Sequence, residues 1–528
     1  MKKYNTYITV LACAAALTTL GACDDYLSTM PDNRAQIDTE DKITGLLVSA
    51  YPTDGYYLLS EFMSDNVDDM GENNPNTTRF IEQVYAWQDV TESDNESPER
   101  FWRASYKAIA SANHALQAIE EMGGATTTKL RQAKAEALMC RAYNHFMLVN
   151  MFSLHYNSAT ADTDLGITYM TKPETTVLVN YERNSVAEVY KMVEQDLEEA
   201  LPDLGDSYMT VPKYHFNPTA AYAFACRFYL YYEKWEKAIE YADKVLGSSP
   251  KSMLRDYAYM GAMTQQIQAV AQHYVDATLN CNLLLTTGYS RMGLVMGNYS
   301  TWKRFAHSPY LATSEDAGAP NIWGSSAPYY SGLKSYAATN SSYVIFWRLP
   351  YLFEYTDAVA GTGYYRSVFP TFTTDECLLN RAEAKVMLKR YNEAAADLDL
   401  WMHNIMNTNV TVTPELVTSF YNSINYAEPL NSTQKKHLHP AFEIDAEGST
   451  QECMLQCVLG FRRIETLQLG LRWFDVKRYG IEICRRVMNA AGRPEKQTDL
   501  LTVDDPRRAM QIPEKVRDAG YEPNPRNK

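Results

Sequence analysis

FNPTAAYAFACRFYLYYEKWEKAIEYADKVLGSSP, residues 216–250, is the stretch on which the fold turns. Tyr222, Ala225, Cys226 and Tyr229 recur at the three-to-four spacing of one helical face. After the turn Glu233-Lys234-Trp235, Ala238, Ala242 and Val245 repeat that spacing, and Pro250 closes the unit. Small residues at such positions let two antiparallel helices approach closely, as in the 34-residue tetratricopeptide pattern. A second copy reads Leu378, Ala382, the turn Lys389-Arg390-Tyr391, then Ala394, Leu398 and Trp401. Upstream, Tyr106, Ile109, Ala110, Asn113, Leu116 and Ile119 predict a helix ended by Gly123-Gly124. Leu130 to Val149 and Val186 to Leu201 predict two more, the last closed by Pro202. The expected fold is mostly α, with tetratricopeptide-like helix pairs as its scaffold.

From about Thr286 to Thr374 the texture changes. Gly, Ser, Asn and Pro recur every few residues, helical spacing disappears, and Tyr299, Trp302, Phe305, Tyr310, Trp323, Tyr329, Tyr330, Tyr336, Tyr343, Phe346, Trp347 and Tyr351 crowd in. Val344 to Trp347 reads as a short strand. So long a stretch of loop inside a packed protein is usually functional. Asp65 to Asp94 has the same texture. The chain divides accordingly into 1–22, 23–285, 286–374 and 375–528, a leader, two helical parts and a loop-rich aromatic region between them.

Residues 1–23 carry Lys2 and Lys3, an apolar run from Ile8 to Leu20, and Leu20-Gly21-Ala22-Cys23. This is the anatomy of a secretory signal, too short for a permanent membrane helix. Its end resembles the lipobox of bacterial lipoproteins. That resemblance implies cleavage before Cys23, a diacylglyceryl group on its sulfur, and a membrane anchor. Asp24-Asp25 directly after it resembles the surface-export signal of Bacteroidetes lipoproteins.

Composition predicts a large packed body, with 46% hydrophobic and 21% charged residues. Loss of a leader holding Lys2, Lys3 and no acid leaves 47 basic residues against 64 acidic ones, a net of −17. Such a surface repels phosphate backbones, which argues against a nucleic-acid partner. Seven cysteines beyond Cys23 are odd in number and irregular in spacing, so no disulfide framework is expected. Cys453 and Cys457 lack the further ligands that zinc requires. G-x-S-x-G, P-loop and H-E-x-x-H motifs are missing, and Gly361-Thr362-Gly363 lacks the last glycine of a dinucleotide turn. The sequence therefore favours binding over catalysis and calls for no cofactor.

Two C-terminal segments bring a family into view. Asp375-Glu376-Cys377-Leu378-Leu379-Asn380-Arg381-Ala382-Glu383-Ala384 resembles the E-x-x-L-x-R-A-E-A helix of SusD/RagB proteins. Arg463-Ile464-Glu465 and Arg472-Trp473-Phe474-Asp475-Val476-Lys477-Arg478-Tyr479-Gly480 resemble their R-x-E and R-W-F-D-L-K-R-x-G signatures. Asp505-Pro506-Arg507, Gln511-Ile512-Pro513, Asn524-Pro525, Cys23 to Leu27 and Met63 to Asn66 follow the family's order. Leu469 departs from the Glu that often precedes the glycine at Gly470. The resemblance implies a SusD-like helical superstructure and a surface lipoprotein that captures oligosaccharide or polysaccharide for a SusC-like TonB-dependent transporter. Capture of peptide, or a scaffold role without small ligand, remain alternatives. The Arg472–Gly480 block reads as structural, with Trp473 and Phe474 inward, and Arg381 and Glu383 as bridging charges.

Sugars present apolar C–H faces ringed by hydroxyls, so a site needs aromatic platforms edged by amides or charges. Any single ring is more often buried than bare. The expected platforms are rings set among turn residues: Trp87, Tyr299, Trp302 and Trp323. Asn73, Asn74, Asn298 and Asn321 are the expected edge groups. Loss of the Trp323 ring is expected to weaken polysaccharide retardation. Asp65-Asn66-Val67-Asp68-Asp69 offers oxygen ligands to Ca²⁺ but lacks EF-hand spacing, and reads rather as a solvated loop or cap.

Overall fold

Asn217 opens the decisive helix pair: its side chain accepts the Ala220 N–H, and Pro218 fills the first helical position, where no N–H is needed. The computed structural model describes residues 37–93, 96–174, 181–298, 300–324, 327–338 and 341–526. Cys23, the leader and Tyr299 lie outside them.

Twelve segments form the helical frame. They are α1 (Glu40–Leu47), α2 (Tyr57–Met63), α3 (Pro98–Glu121), α4 (Thr128–Phe152), α5 (Val186–Ala200), α6 (Pro218–Tyr231), α7 (Trp235–Leu246), α8 (Thr374–Met387), α9 (Tyr391–Ile405), α10 (Pro414–Asn422), α11 (Thr450–Thr466) and α12 (Arg472–Arg478). Neighbours in sequence pack as antiparallel pairs, α3 on α4, α4 on α5, α6 on α7 and α8 on α9. α7 rests on α8, joining the two tetratricopeptide-like units, and α11 covers α8. Ala225, Ala238, Ala242, Ala382 and Ala394 are fully buried where these helices meet. The turns use one device twice: Glu233 (φ 59°) and Lys389 (φ 58°) both adopt the left-handed conformation that ends a helix. The mostly α expectation holds.

Charged residues of the C-terminal signature knit this frame. Arg381 on α8 donates to Asp397 on α9 (2.6 and 3.0 Å) and to Asp243 on α7 (2.7 Å). Glu383 accepts from Arg478 (2.7 Å) and the Tyr479 hydroxyl (2.8 Å), while Trp473 and Phe474 are buried. Lys477 donates to the carbonyls of Asn150 and Ser153, satisfying the open end of α4. Gly470 (φ 73°) packs so closely on α2 that a Cβ would strike Ser60 Oγ, and its N–H donates to Glu61.

The aromatic region is more ordered than its texture suggests. Among the described residues the strands are β1 (Asp68–Asp69), β2 (Asn282–Tyr289), β3 (Phe305–Ala306), β4 (Lys334–Ala338), β5 (Ser341–Ile345), β6 (Leu352–Asp357), β7 (Thr362–Thr373), β8 (Ile483–Met488) and β9 (Pro494–Leu501), and β2 to β7 fall in or at the edge of that region. They form a sheet β3-β1-β8-β9, a sheet β2-β7-β6 and the hairpin β4-β5. β2 pairs antiparallel with β7 from Asn282↔Thr373 to Tyr289↔Arg366, so the division at 285/286 falls inside a strand. The strand read at Val344–Trp347 begins three residues earlier and stops at Ile345.

Candidate functional site

Four loops from distant parts of the chain meet around β5. Residues 70–76 follow β1, residues 298–304 precede β3, Pro309 to Thr313 begin the next short helix, and the β8–β9 turn supplies 488–493. The first two loops are zipped together: the Asn76 N–H donates to the Trp302 carbonyl (2.9 Å), and the Arg304 N–H to the Asn76 carbonyl (3.1 Å). Asn73 and Asn74 of the first loop, Pro309 to Thr313, Ser342 of β5 and the β8–β9 turn line a cleft of about 440 Å³. That is the size of a small-ligand site.

Asn73 stands exposed on the rim of this cleft, and Asn74 borders it while only 1% exposed. Asn74 Nδ2 donates to the Met70 carbonyl (2.7 Å), but Oδ1 has no partner in the protein. A buried amide oxygen left bare costs about 1–3 kcal/mol, so a small turn of the Asn74 side chain toward the cleft would give an incoming hydroxyl or N–H an acceptor. Tyr310 forms part of the wall, held by the Ser432 N–H on its hydroxyl (3.0 Å). Arg486 and Arg493 lie over its ring at 4.9 and 5.8 Å.

Beside the cleft, β4 and β5 display an aromatic group. Tyr336 and Tyr343 stack at 5.4 Å, and Trp347 Nε1 donates to the Tyr336 hydroxyl (2.7 Å). Asn298 reaches the same hydroxyl, and its Oδ1 is buried without a partner. Trp302 is half-buried at φ 59°, a conformation in which a large ring is an outlier. Tyr336 and Trp347 are half-buried too. The site thus combines ring faces with amide oxygens.

Of the residues read from the sequence, Asn73 and Asn74 line the cleft, Trp302 sits on the loop bonded to Asn76, and Asn298 reaches Tyr336 in the neighbouring aromatic group. Trp87 and Trp323 do none of these, and both correct the expectation. Trp87 is 4% exposed: Nε1 donates to the Met63 carbonyl (2.9 Å) and the Arg485 guanidinium covers the ring at 4.0 Å. Trp87 nevertheless lines a separate cleft of about 290 Å³, away from Asn73 and Asn74. Trp323 is 5% exposed, tilted against Phe461 at 5.5 Å, which itself stacks on Trp401. Asn321 is buried and donates to Gln434 (3.0 Å). Sequence reading missed Asn489 and Arg493, since nothing local ties a turn near residue 490 to a loop near residue 73.

Asp65 to Asp69 is neither a solvated loop nor a calcium loop. Asp65 takes both arms of Arg472 (2.8 and 2.9 Å), Asp68 pairs with Arg486 (2.9 Å), and Asp69 takes both arms of Arg304 (2.6 and 2.9 Å). Arg463 donates to the Asp65 carbonyl and to Glu315, which Lys436 also neutralises. Burial opposes ionisation of Asp65, yet Arg463 and Arg472 outweigh it and hold its carboxyl well below the usual carboxylate range. These charges fix the loop that carries Asn73 and Asn74.

Residues 25–230 match a SusD-like family model described as "Starch-binding associating with outer membrane". The fold is similar to that of a SusD superfamily protein from Bacteroides thetaiotaomicron VPI-5482, at 19% identity and TM-score 0.61 over 92% of this chain and all of that one. A putative sugar binding protein from Bacteroides vulgatus ATCC 8482 is similar at 18% identity and TM-score 0.64, over 93% and 99% of the two chains. A SusD-like carbohydrate binding protein from the same organism is similar at 15% identity and TM-score 0.58, over 91% and 96%. No curated protein sequence matches this chain. Among the described residues, no helix is long and apolar enough to cross a membrane.

Proposed function

We propose that this chain, whose residues 25–230 match a SusD-like family model, belongs to that family, binds a neutral oligosaccharide or polysaccharide at the bacterial surface and delivers it to a SusC-like TonB-dependent transporter. The observation that carries the reading is a cleft walled by Asn73, Asn74, Tyr310 and Arg493, with the aromatic group of β4 and β5 beside it. Trp302, Tyr336 and Trp347 offer apolar faces to sugar C–H groups. Asn74 and Asn298 offer acceptors to sugar hydroxyls, and Arg493 offers donors. The acidic surface disfavours anionic chains, which points to neutral ones. Lipid on Cys23 would hold the protein at the membrane, and the family description and the sugar-binding neighbours are consistent with that place.

Affinity electrophoresis against a panel of neutral polysaccharides tests this. The wild type is expected to be retarded by at least one, and Trp302→Ala to lose roughly tenfold in affinity, about 1.4 kcal/mol. Retention of peptides but of no glycan would overturn it, as would steady release of reducing ends from the retained polymer.

A further inference from the structure

β6 and β7 form a hairpin that reaches away from the body. Tyr355 is 61% exposed, Tyr364 48%, Tyr365 37%, and Val359 at the tip is bare. Surface rings usually occur singly, and a cluster of them marks a contact. On one face the rings form a strip. Tyr351 stacks on Tyr365 at 4.9 Å, Tyr365 meets Phe353 at 5.0 Å, and Phe353 meets Tyr355 at 4.9 Å. From Tyr351 to Tyr355 the strip runs about 13 Å at the usual rise per residue. No side chain opposes Tyr355 across the hairpin, because its partner is Gly363. A Cβ there would strike the Glu354 carbonyl and the Phe353 ring.

The hairpin is built to stand out rather than to fold under. Asp357 Oδ1 accepts the N–H groups of Val359 and Ala360 (2.9 Å each), fixing the tip, and Arg366 pairs with Glu354 on the other face. It is also joined to the aromatic group beside the cleft. In the short helix Ile267–Tyr274, Ile267 packs on the cluster of Ala306, Tyr343 and Ile345, against which Tyr336 and Trp347 also lie, while the next residue, Gln268, donates to the Tyr351 carbonyl (2.8 Å). One helical turn therefore joins the two aromatic surfaces.

Resting on the glycan reading, we propose that the Tyr351–Phe353–Tyr355–Tyr365 strip is a second sugar platform, which extends the cleft and selects long neutral chains over short ones. The exposed rings of Tyr355 and Tyr365 suit a sugar chain better than an apolar protein surface, because each carries its own hydroxyl at the ring edge.

The test uses the mature protein, the polysaccharide that retards it, and that polymer's three-unit fragment. Tyr355→Ala should weaken polymer binding threefold to tenfold and leave the fragment's affinity unchanged. Tyr355→Trp should restore polymer binding. Tyr355 is exposed, so folding survives both changes. Equal polymer affinity in wild type and Tyr355→Ala overturns the platform while the cleft reading stands. So does unchanged polymer affinity with lost co-purification of the transporter, which makes the hairpin a protein contact. Equal weakening of fragment and polymer also overturns it. A wild type that no polysaccharide retards removes the cleft reading and the platform together.

Discussion

Trp302 and Trp323 show two fates for rings set in similar sequence. Trp323 sits in the core beside Phe461, so Trp323→Ala should destabilise by about 3–5 kcal/mol in urea unfolding, the usual range for a deleted buried ring. Trp302→Ala should leave the midpoint nearly unchanged and weaken binding instead. The difference was invisible locally: what covers Trp87 is Arg485, and what covers Trp323 comes from α11. The exposure of Asn73 and the half-burial of Trp302 follow from the turn residues that surround them, whereas Asn74 is covered. Asp65 to Asp69 misled because its arginines lie more than 230 residues away.

Glu96 gives a pH prediction at the same scale. Burial pushes its carboxyl up to about 7, against the bonds it accepts from Ser290 (2.5 Å) and the Arg291 N–H (2.7 Å). The folded state therefore holds a proton that the unfolded state has lost between pH 4.5 and 7. Its contribution is complete below that window and disappears as pH rises through it. Thermal melts at pH 5 and pH 8 should show the wild type losing more stability than Glu96→Gln; parallel losses would refute the assignment.

At the level of elements, helix pairs were readable because their period is 3.6 and their contacts are small residues. Strands in the aromatic region were not. β6 and β7 carry rings on both faces, and the first five residues of β2 are buried without alternation, so the period of two is erased. The bridges between helices make a measurable claim. Arg381→Ala leaves Asp397, only 6% exposed, with Lys385 alone, and should cost about 3 kcal/mol. Lys389→Ala breaks a fully solvated pair with Asp445, and its unfolding curve should overlay that of the wild type.

Across the whole molecule, the helix Ile267–Tyr274 ties the hairpin to the aromatic group beside the cleft. We propose Cys23 as the point at which lipid holds this body to the membrane. Palmitate labelling of the wild type, lost in Cys23→Ala together with sedimentation with membranes, is the expected outcome. The most direct measurement is the structure of crystals soaked with an oligosaccharide cut from the retained polymer. Sugar density against Trp302 and within hydrogen-bond reach of Asn74 Oδ1 is predicted. Density confined to the cleft beside Trp87, with the Asn74 cleft empty, would contradict the account.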